Sequence, residues 1–275
     1  PEDYSLLCKE LEHNNGETQV NTRFKLAQKA FTHTASYDSA ISNYLTSIDA
    51  HHQRKDFPDS LNLNFNLVQD LRYGENPHQK AAFYRDESIT HGSLANYQQL
   101  QGKELSYNNI ADTDAAWECV KTYDQAACVI VKHANPCGIA IAETPLRAYH
   151  LAFSTDPVSA FGGIIAFNRT IDKDIAEAIL KQFVEVVIAP EITPEAQRIF
   201  SQKINIRVLT VPLQTGHHTY DLKRIGGGLL VQTPDDINIS AADFNIVTKI
   251  APTRQQMDDL LFAWRAAKFI KSNAI

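Results

Sequence analysis

The densest chemistry in the sequence lies in VKHANPCGIA, Val131 to Ala140, where Lys132, His133 and Cys137 stand close together. A metal pair of His133 with Cys137 at i, i+4 needs a helix, and Pro136 opposes one. Zinc motifs of the PCxxC kind need a second cysteine, and PCGIA has none. Cys137 sits between the turn-like Pro136 and Gly138 with no obvious base, which reads as a small buried residue. Lys132 and His133 are different. They end the apolar run Val129–Val131, and a lysine at the end of a buried strand needs a partner or a task. Two roles stay open: an ion-paired lysine beside a hydrogen-bonded histidine, or an acid–base pair.

Three other stretches carry candidate chemistry. LRYGENPHQ gathers Arg72, Tyr73, Glu75, Asn76 and His78 around Gly74 and Pro77. Arg72 offers a planar fork to a phosphate or carboxylate and Tyr73 a ring face; a polar surface turn is the plainer reading. DPVSAFGGIIAFN sets Phe161, Gly162 and Gly163 before an apolar run, where small residues admit a ligand to the backbone and a phenylalanine can cover a flat ring. RIGGGLLVQ lacks the lysine of a P-loop and reads as a glycine turn into a strand.

Elements that position these residues follow from periodicity. Glu2 to Leu11 reads as helix, and Thr22–Leu45 as one long helix or two broken near Thr32–Ser36. HHQRKDFPDS is polar and holds Pro58, so a linker is expected there, with domains at 1–57 and 58–275. LNLNFNLV alternates apolar residues with asparagine, predicting a strand with one buried face. Beyond it, strands at Ala127–Lys132, Gly163–Phe167, Val186–Ala189, Ile206–Val211 and Gly228–Gln232 alternate with helices at Ala111–Thr122, Pro145–Phe153, Lys173–Phe183 and Pro194–Ser201. Thr253–Lys271 closes the series as a helix. Such alternation predicts an α/β fold with a sheet that is parallel at least in part.

Composition narrows the classes. The chain has 275 residues, 44% hydrophobic and 21% charged, ordinary for a globular protein. A net charge of -6 argues against broad nucleic-acid binding, though one basic pocket for a small phosphate is compatible with it. No apolar run approaches the roughly 18–20 residues that span a bilayer. The four cysteines form no CxxC pair, so free thiols in a reducing compartment are expected. Both ends read as cut, and an internal segment of a longer protein is expected.

Taken in order, LRYGENPHQ, VKHANPCGIA, DPVSAFGGIIAFN, EVVIAP and KSNAI resemble the bifunctional purine-biosynthesis enzymes that join AICAR transformylase to IMP cyclohydrolase. TRFKLAQKAFTHTASYD is similar to the tail of their cyclohydrolase domain. The resemblance implies a layered α/β transformylase subdomain like the cytidine deaminases, without their zinc, preceded by that helical tail. It implies formyl transfer from the cosubstrate 10-formyltetrahydrofolate to AICAR, giving FAICAR, with no metal needed for the chemistry. In the full-length protein FAICAR is then closed to IMP.

By motif, Lys132 and His133 correspond to a catalytic pair, and Asn273 to an asparagine that orients the amine. Arg72, Tyr73, Phe161, Gly162 and Glu185 correspond to AICAR contacts. The family implies a cytoplasmic homodimer with no nucleic-acid or membrane partner. It also implies that this chain alone, lacking the start of the cyclohydrolase and most folate contacts, has neither activity at a useful level. A zinc deaminase on a similar fold, and a fragment that only binds nucleotide or dimerises, are the competing readings.

Overall fold

The computed structural model describes residues 2–87, 91–214 and 220–271. The chain divides into two compact units, Pro1–Asn66 and Leu67–Ile275.

The first unit is built on two helices, α1 (Tyr4–His13) and α2 (Val20–Thr46). Lys29 pairs with Asp3 at 2.5 Å, and Glu10 accepts from the Gln19 backbone at 2.8 Å, which together tie α1 to α2. The 27-residue α2 is unbroken, and neither helix buries a residue. After α2 the chain folds back on it. The Asn43 side chain donates to the Asn62 carbonyl and accepts from the Asn62 backbone, both at 2.8 Å.

The second unit opens with a two-stranded sheet of β1 (Phe65–Leu71) and β2 (Ala81–Asp86). Here the expected buried face of LNLNFNLV is corrected. The strand starts only at Phe65, and Leu63, Phe65 and Leu67 are 42%, 43% and 53% exposed. Alternation marks two faces, but a face is buried only where another layer lies against it, and in this strand only Leu71 is buried.

The core is a six-stranded mixed sheet in the order β3-β8-β7-β6-β4-β5. Its strands are β3 (Gln98–Gln101), β4 (Ala126–Lys132), β5 (Asn135–Ala142), β6 (Ile164–Phe167), β7 (Val186–Ala189) and β8 (Arg207–Thr210). β6, β7 and β8 are mutually parallel; β4 runs against β6, β5 against β4, and β3 against β8. Cys128 and Ile130 of β4 enter one core, together with residues of α4 (Pro145–Thr155), α5 (Lys173–Ile179) and α6 (Pro194–Phe200). Ala127, Val129 and Val131 enter the other, with Trp117 and Val120 of α3 (Tyr107–Lys121). This period of two explains why the strand reads as a continuous apolar run: both faces are covered. Each fully buried Ile or Val contributes roughly 1.5–3 kcal/mol. At the far end of the sheet Asn168 is fully used. Its oxygen accepts from Ala127 N at 2.8 Å and its amide donates to the Tyr123 and Gln125 carbonyls at 2.7 and 2.8 Å.

A hairpin of β9 (Asp221–Ile225) and β10 (Gly228–Gln232) and the helix α7 (Arg254–Ala267) complete the unit. The glycine run of RIGGGLLVQ forms the hairpin turn, as its sequence predicts. Among the described residues no helix is long and apolar enough to cross a membrane.

Candidate functional site

Lys132 ends β4, and the chain reverses at once. Lys132 pairs with Asn135, leaving His133 and Ala134 as a two-residue loop. Both have positive φ, 56° and 55°, the mirror-image turn that suits the twist of a hairpin. Such turns favour Asn-Gly because a Cβ in the left-handed region costs on the order of 1–2 kcal/mol per residue. His-Ala carries that cost twice. One carboxylate opposes it: Asp112, in the second turn of α3, accepts from His133 N at 3.2 Å and from Ala134 N at 2.8 Å.

The turn assignment of the sequence is corrected in one respect. Pro136 and Gly138 lie within β5, and the reversal comes before them. Pro136 is tolerated because β5 is an edge strand and the register shifts at this point, where Val131 faces Pro136. Gly138 is needed because α4 lies against the strand: a Cβ there would stand 2.1 Å from the Ala152 carbonyl oxygen. Cys137 is half-buried and its thiol donates to the Ile130 carbonyl at 3.5 Å. Burial, then the charge of Asp156, pushes this thiol's pKa up, which suits a packing residue and not a thiolate nucleophile.

DPVSAFGG brings a second set of groups to the same edge. Asp156 accepts from the Ser159 backbone at 2.9 Å and its hydroxyl at 2.5 Å, closing the loop. Those bonds hold the Asp156 carboxyl below its usual pKa. The loop delivers Phe161, whose carbonyl accepts from Lys132 Nζ at 2.5 Å. Gly162 follows with φ +72°, and a Cβ on it would lie 3.2 Å from the Phe183 ring and 3.9 Å from Lys132 Nζ. The Phe161 and Phe183 rings are 5.3 Å apart and both are exposed, an apolar shelf beside the lysine.

Glu185 enters from the lead into β7. Its backbone N–H donates to the Gly163 carbonyl at 3.2 Å. Its carboxylate accepts from Asn109 Nδ2 at 2.7 Å, while Asn109 Oδ1 accepts from Ser106 N in the capping box that starts α3. Asn109 and Asp112, three apart on one helix, thus hold groups from the lead into β7 and from the β4–β5 turn. Neither was singled out from sequence. The start of α3 was placed late, at Ala111, so Asn109 fell outside the expected helix; SYNN is the capping signal that could have found it.

The strand direction adds a second finding. Lys132 is at the carboxyl end of β4, but β4 runs against its neighbours, so the site lies at the amino ends of β6, β7 and β8. The usual rule for parallel sheets puts ligands at the opposite ends.

Arg72 and Tyr73 follow β1, with the guanidinium carbon 5.9 Å from the centre of the Tyr73 ring. Gln79 closes the loop: it accepts from Gly74 N at 3.0 Å through its backbone carbonyl and from Asn76 N at 2.7 Å through its side chain. The loop reaches the rest of the site through α3, where Asn108 Nδ2 meets the Glu75 carbonyl at 3.5 Å. Arg72 is exposed. Asn273 lies outside the described residues. The structure therefore gathers Lys132, His133, Phe161, Gly162 and Glu185, with Arg72 and Tyr73 on an adjoining loop.

Among the described residues no group of three or more His, Cys, Asp or Glu is placed to hold a metal. A cavity of about 300 Å³ lies at the carboxyl end of α3, lined by Thr122, Asp235, Trp264, Arg265 and Lys268. It contains none of the candidate residues, which sit at the helix's other end.

Compared with known families, the sequence matches the AICARFT/IMPCHase bienzyme over residues 1–275. The chain belongs to that family. The resemblance carried by five separate motifs is thereby established at the level of the family, an enzyme family of purine biosynthesis that pairs AICAR transformylase with IMP cyclohydrolase. The family acts on AICAR and folate, both small molecules.

Proposed function

We propose that the Leu67–Ile275 unit carries the AICAR side of a transformylase site, which moves the formyl group of 10-formyltetrahydrofolate to the amine of AICAR. The observation that carries this reading is Lys132 at the end of β4 and the braced His133–Ala134 turn after it, beside the Phe161–Phe183 shelf and Glu185, in a chain of this family.

The AICAR amine is conjugated with its imidazole and carboxamide and is a poor nucleophile. In the reading proposed, the amine nitrogen attacks the formyl carbon while the His133 imidazole takes the amine proton. Lys132 stabilises the oxyanion; it has three donors, and the Phe161 carbonyl uses one. The bond to the folate N10 then breaks, and a proton goes to that nitrogen. Phe161 and Gly162 border the purine precursor's ring, Glu185 accepts from it, and Arg72 with Tyr73 holds its anionic end. Asn273 orients the amine. No metal enters this scheme.

The same reading assigns 1–57 to the tail of the cyclohydrolase domain and 58–275 to the first part of the transformylase, with a cytidine deaminase-like fold. It assigns most folate contacts to residues outside this chain, so the chain alone binds AICAR and turns over negligibly. A cytoplasmic homodimer completes the proposal.

Calorimetric titration of the chain with AICAR and with a folate analogue tests it. AICAR binding with little folate binding is expected. Folate binding without AICAR binding would reverse the division of the site, and measurable formyl transfer by the chain would refute its inactivity alone.

A further inference from the structure

We propose that Asp112 is a positioning residue: its carboxylate holds the His133–Ala134 turn in the left-handed form and so aims the His133 imidazole. The proposal rests on the reading of His133 as the proton acceptor.

Both central N–H groups of the turn converge on one side chain, His133 N on Oδ2 at 3.2 Å and Ala134 N on Oδ1 at 2.8 Å. Two successive N–H groups around one anion form a concave cradle, and bonds to an ionised acceptor are stronger than neutral ones. The turn needs such a clamp because neither central residue is glycine and both have positive φ. Besides the Lys132–Asn135 pair that closes the hairpin, the turn has a long bond from Asn135 Nδ2 to the His133 carbonyl at 3.4 Å.

The clamp is mounted on a rigid support. α3 is capped by the Ser106–Asn109 box, and Trp117 Nε1, buried, donates to the Gly92 carbonyl at 2.7 Å. The same helix holds Glu185 through Asn109. One rigid element therefore sets the spacing between a carboxylate on the lead to β7 and an imidazole on the β4–β5 turn. An imidazole on an unclamped two-residue loop would sample other orientations, and a displacement of about 1 Å can cost on the order of a hundredfold in rate.

The test has two arms. In the chain itself, amide exchange at His133 and Ala134 should quicken by about tenfold or more in Asp112→Ala, with core amides unchanged. In the complete bienzyme, Asp112→Ala should lower transformylase kcat by roughly 10- to 100-fold while the AICAR KM stays within about threefold. Adding Ala134→Gly should recover much of that kcat, since glycine takes positive φ without a clamp. A wild-type kcat in Asp112→Ala, or a double variant that melts like wild type yet recovers nothing, overturns the positioning role. Full turnover by His133→Ala would instead remove the catalytic reading beneath it, leaving the exchange result to stand by itself.

Discussion

Two parts of the site are built in opposite ways. The His133–Ala134 turn grows from a strand buried on both faces and is bonded by a helix from outside the hairpin. The Arg72–Gln79 loop grows from a two-stranded sheet with little burial and closes on itself, through Gln79. The first arrangement fixes orientation, which the proposed proton transfer needs. The second presents an exposed guanidinium that can adjust to a charged group, where a strict angle matters less. Geometry is held by the tertiary structure in one and by a local turn in the other.

Breaking the rigid side should have the largest effect. In the complete bienzyme His133→Ala should reduce formyl transfer by about 100- to 10,000-fold. AICAR affinity and the closure of supplied FAICAR should stay near wild type. Steady-state kinetics with each substrate would check this, and a variant keeping most of its transformylase rate would end the assignment.

Next in size is the seat of β5. Gly138→Ala puts a Cβ against the Ala152 backbone oxygen, which cannot rotate away, and should cost about 3 kcal/mol in stability. Chemical denaturation of the chain would show it; a cost under about 1 kcal/mol would mean that α4 and β5 separate easily.

On the adaptable side the losses should be smaller. Arg72→Lys keeps the charge but loses the planar fork, and should raise the AICAR KM by about tenfold with less change for the folate. An unchanged KM would make LRYGENPHQ a structural loop only. Gln79→Ala removes one bond of the closing pair and should weaken AICAR binding by about 1 kcal/mol, through a looser loop, without touching kcat.

The smallest effect belongs to Cys137. Its pKa is raised, so at neutral pH it should be alkylated far more slowly than a free thiol, and Cys137→Ala should leave turnover within about twofold. Fast alkylation with loss of activity would reopen a chemical role. Asp156 supplies a pH arm of the same comparison. Its pKa is lowered by Ser159, so its contribution to the Phe161 loop is present above the ordinary carboxylate range and fades as pH falls through the lowered value. Asp156→Asn should remove that acid dependence, read as the pH profile of AICAR binding.

Much of the central sheet was legible in the sequence. The apolar runs before Lys132, at IIAF and at VVIA, are each covered on both faces, so they stand out without any partner being known. The α2 helix was legible from its helical spacing, though as one helix or two, and the β9–β10 turn from its glycines. Side-chain chemistry alone left Lys132 and His133 as one reading of two. The order of five motifs identified the family, because order over a whole chain is far more specific than any single pattern.

The rest was decided only in three dimensions. Nothing in HANP announces a left-handed turn, since it has neither asparagine nor glycine at the central positions; both central N–H groups of the turn meet Asp112, 21 residues before His133. Asn109 and Glu185, 76 residues apart, meet only because α3 lies across the sheet. LNLNFNLV had a strand's alternation, yet among the described residues nothing covers Leu63, Phe65 and Leu67. Sequence determined which residues carry apolar surface and which carry chemistry, since those are properties of single side chains and their spacing. Which face is covered, which turn is strained and which carboxylate restrains it depend on contacts between distant segments, and those the tertiary structure alone decided.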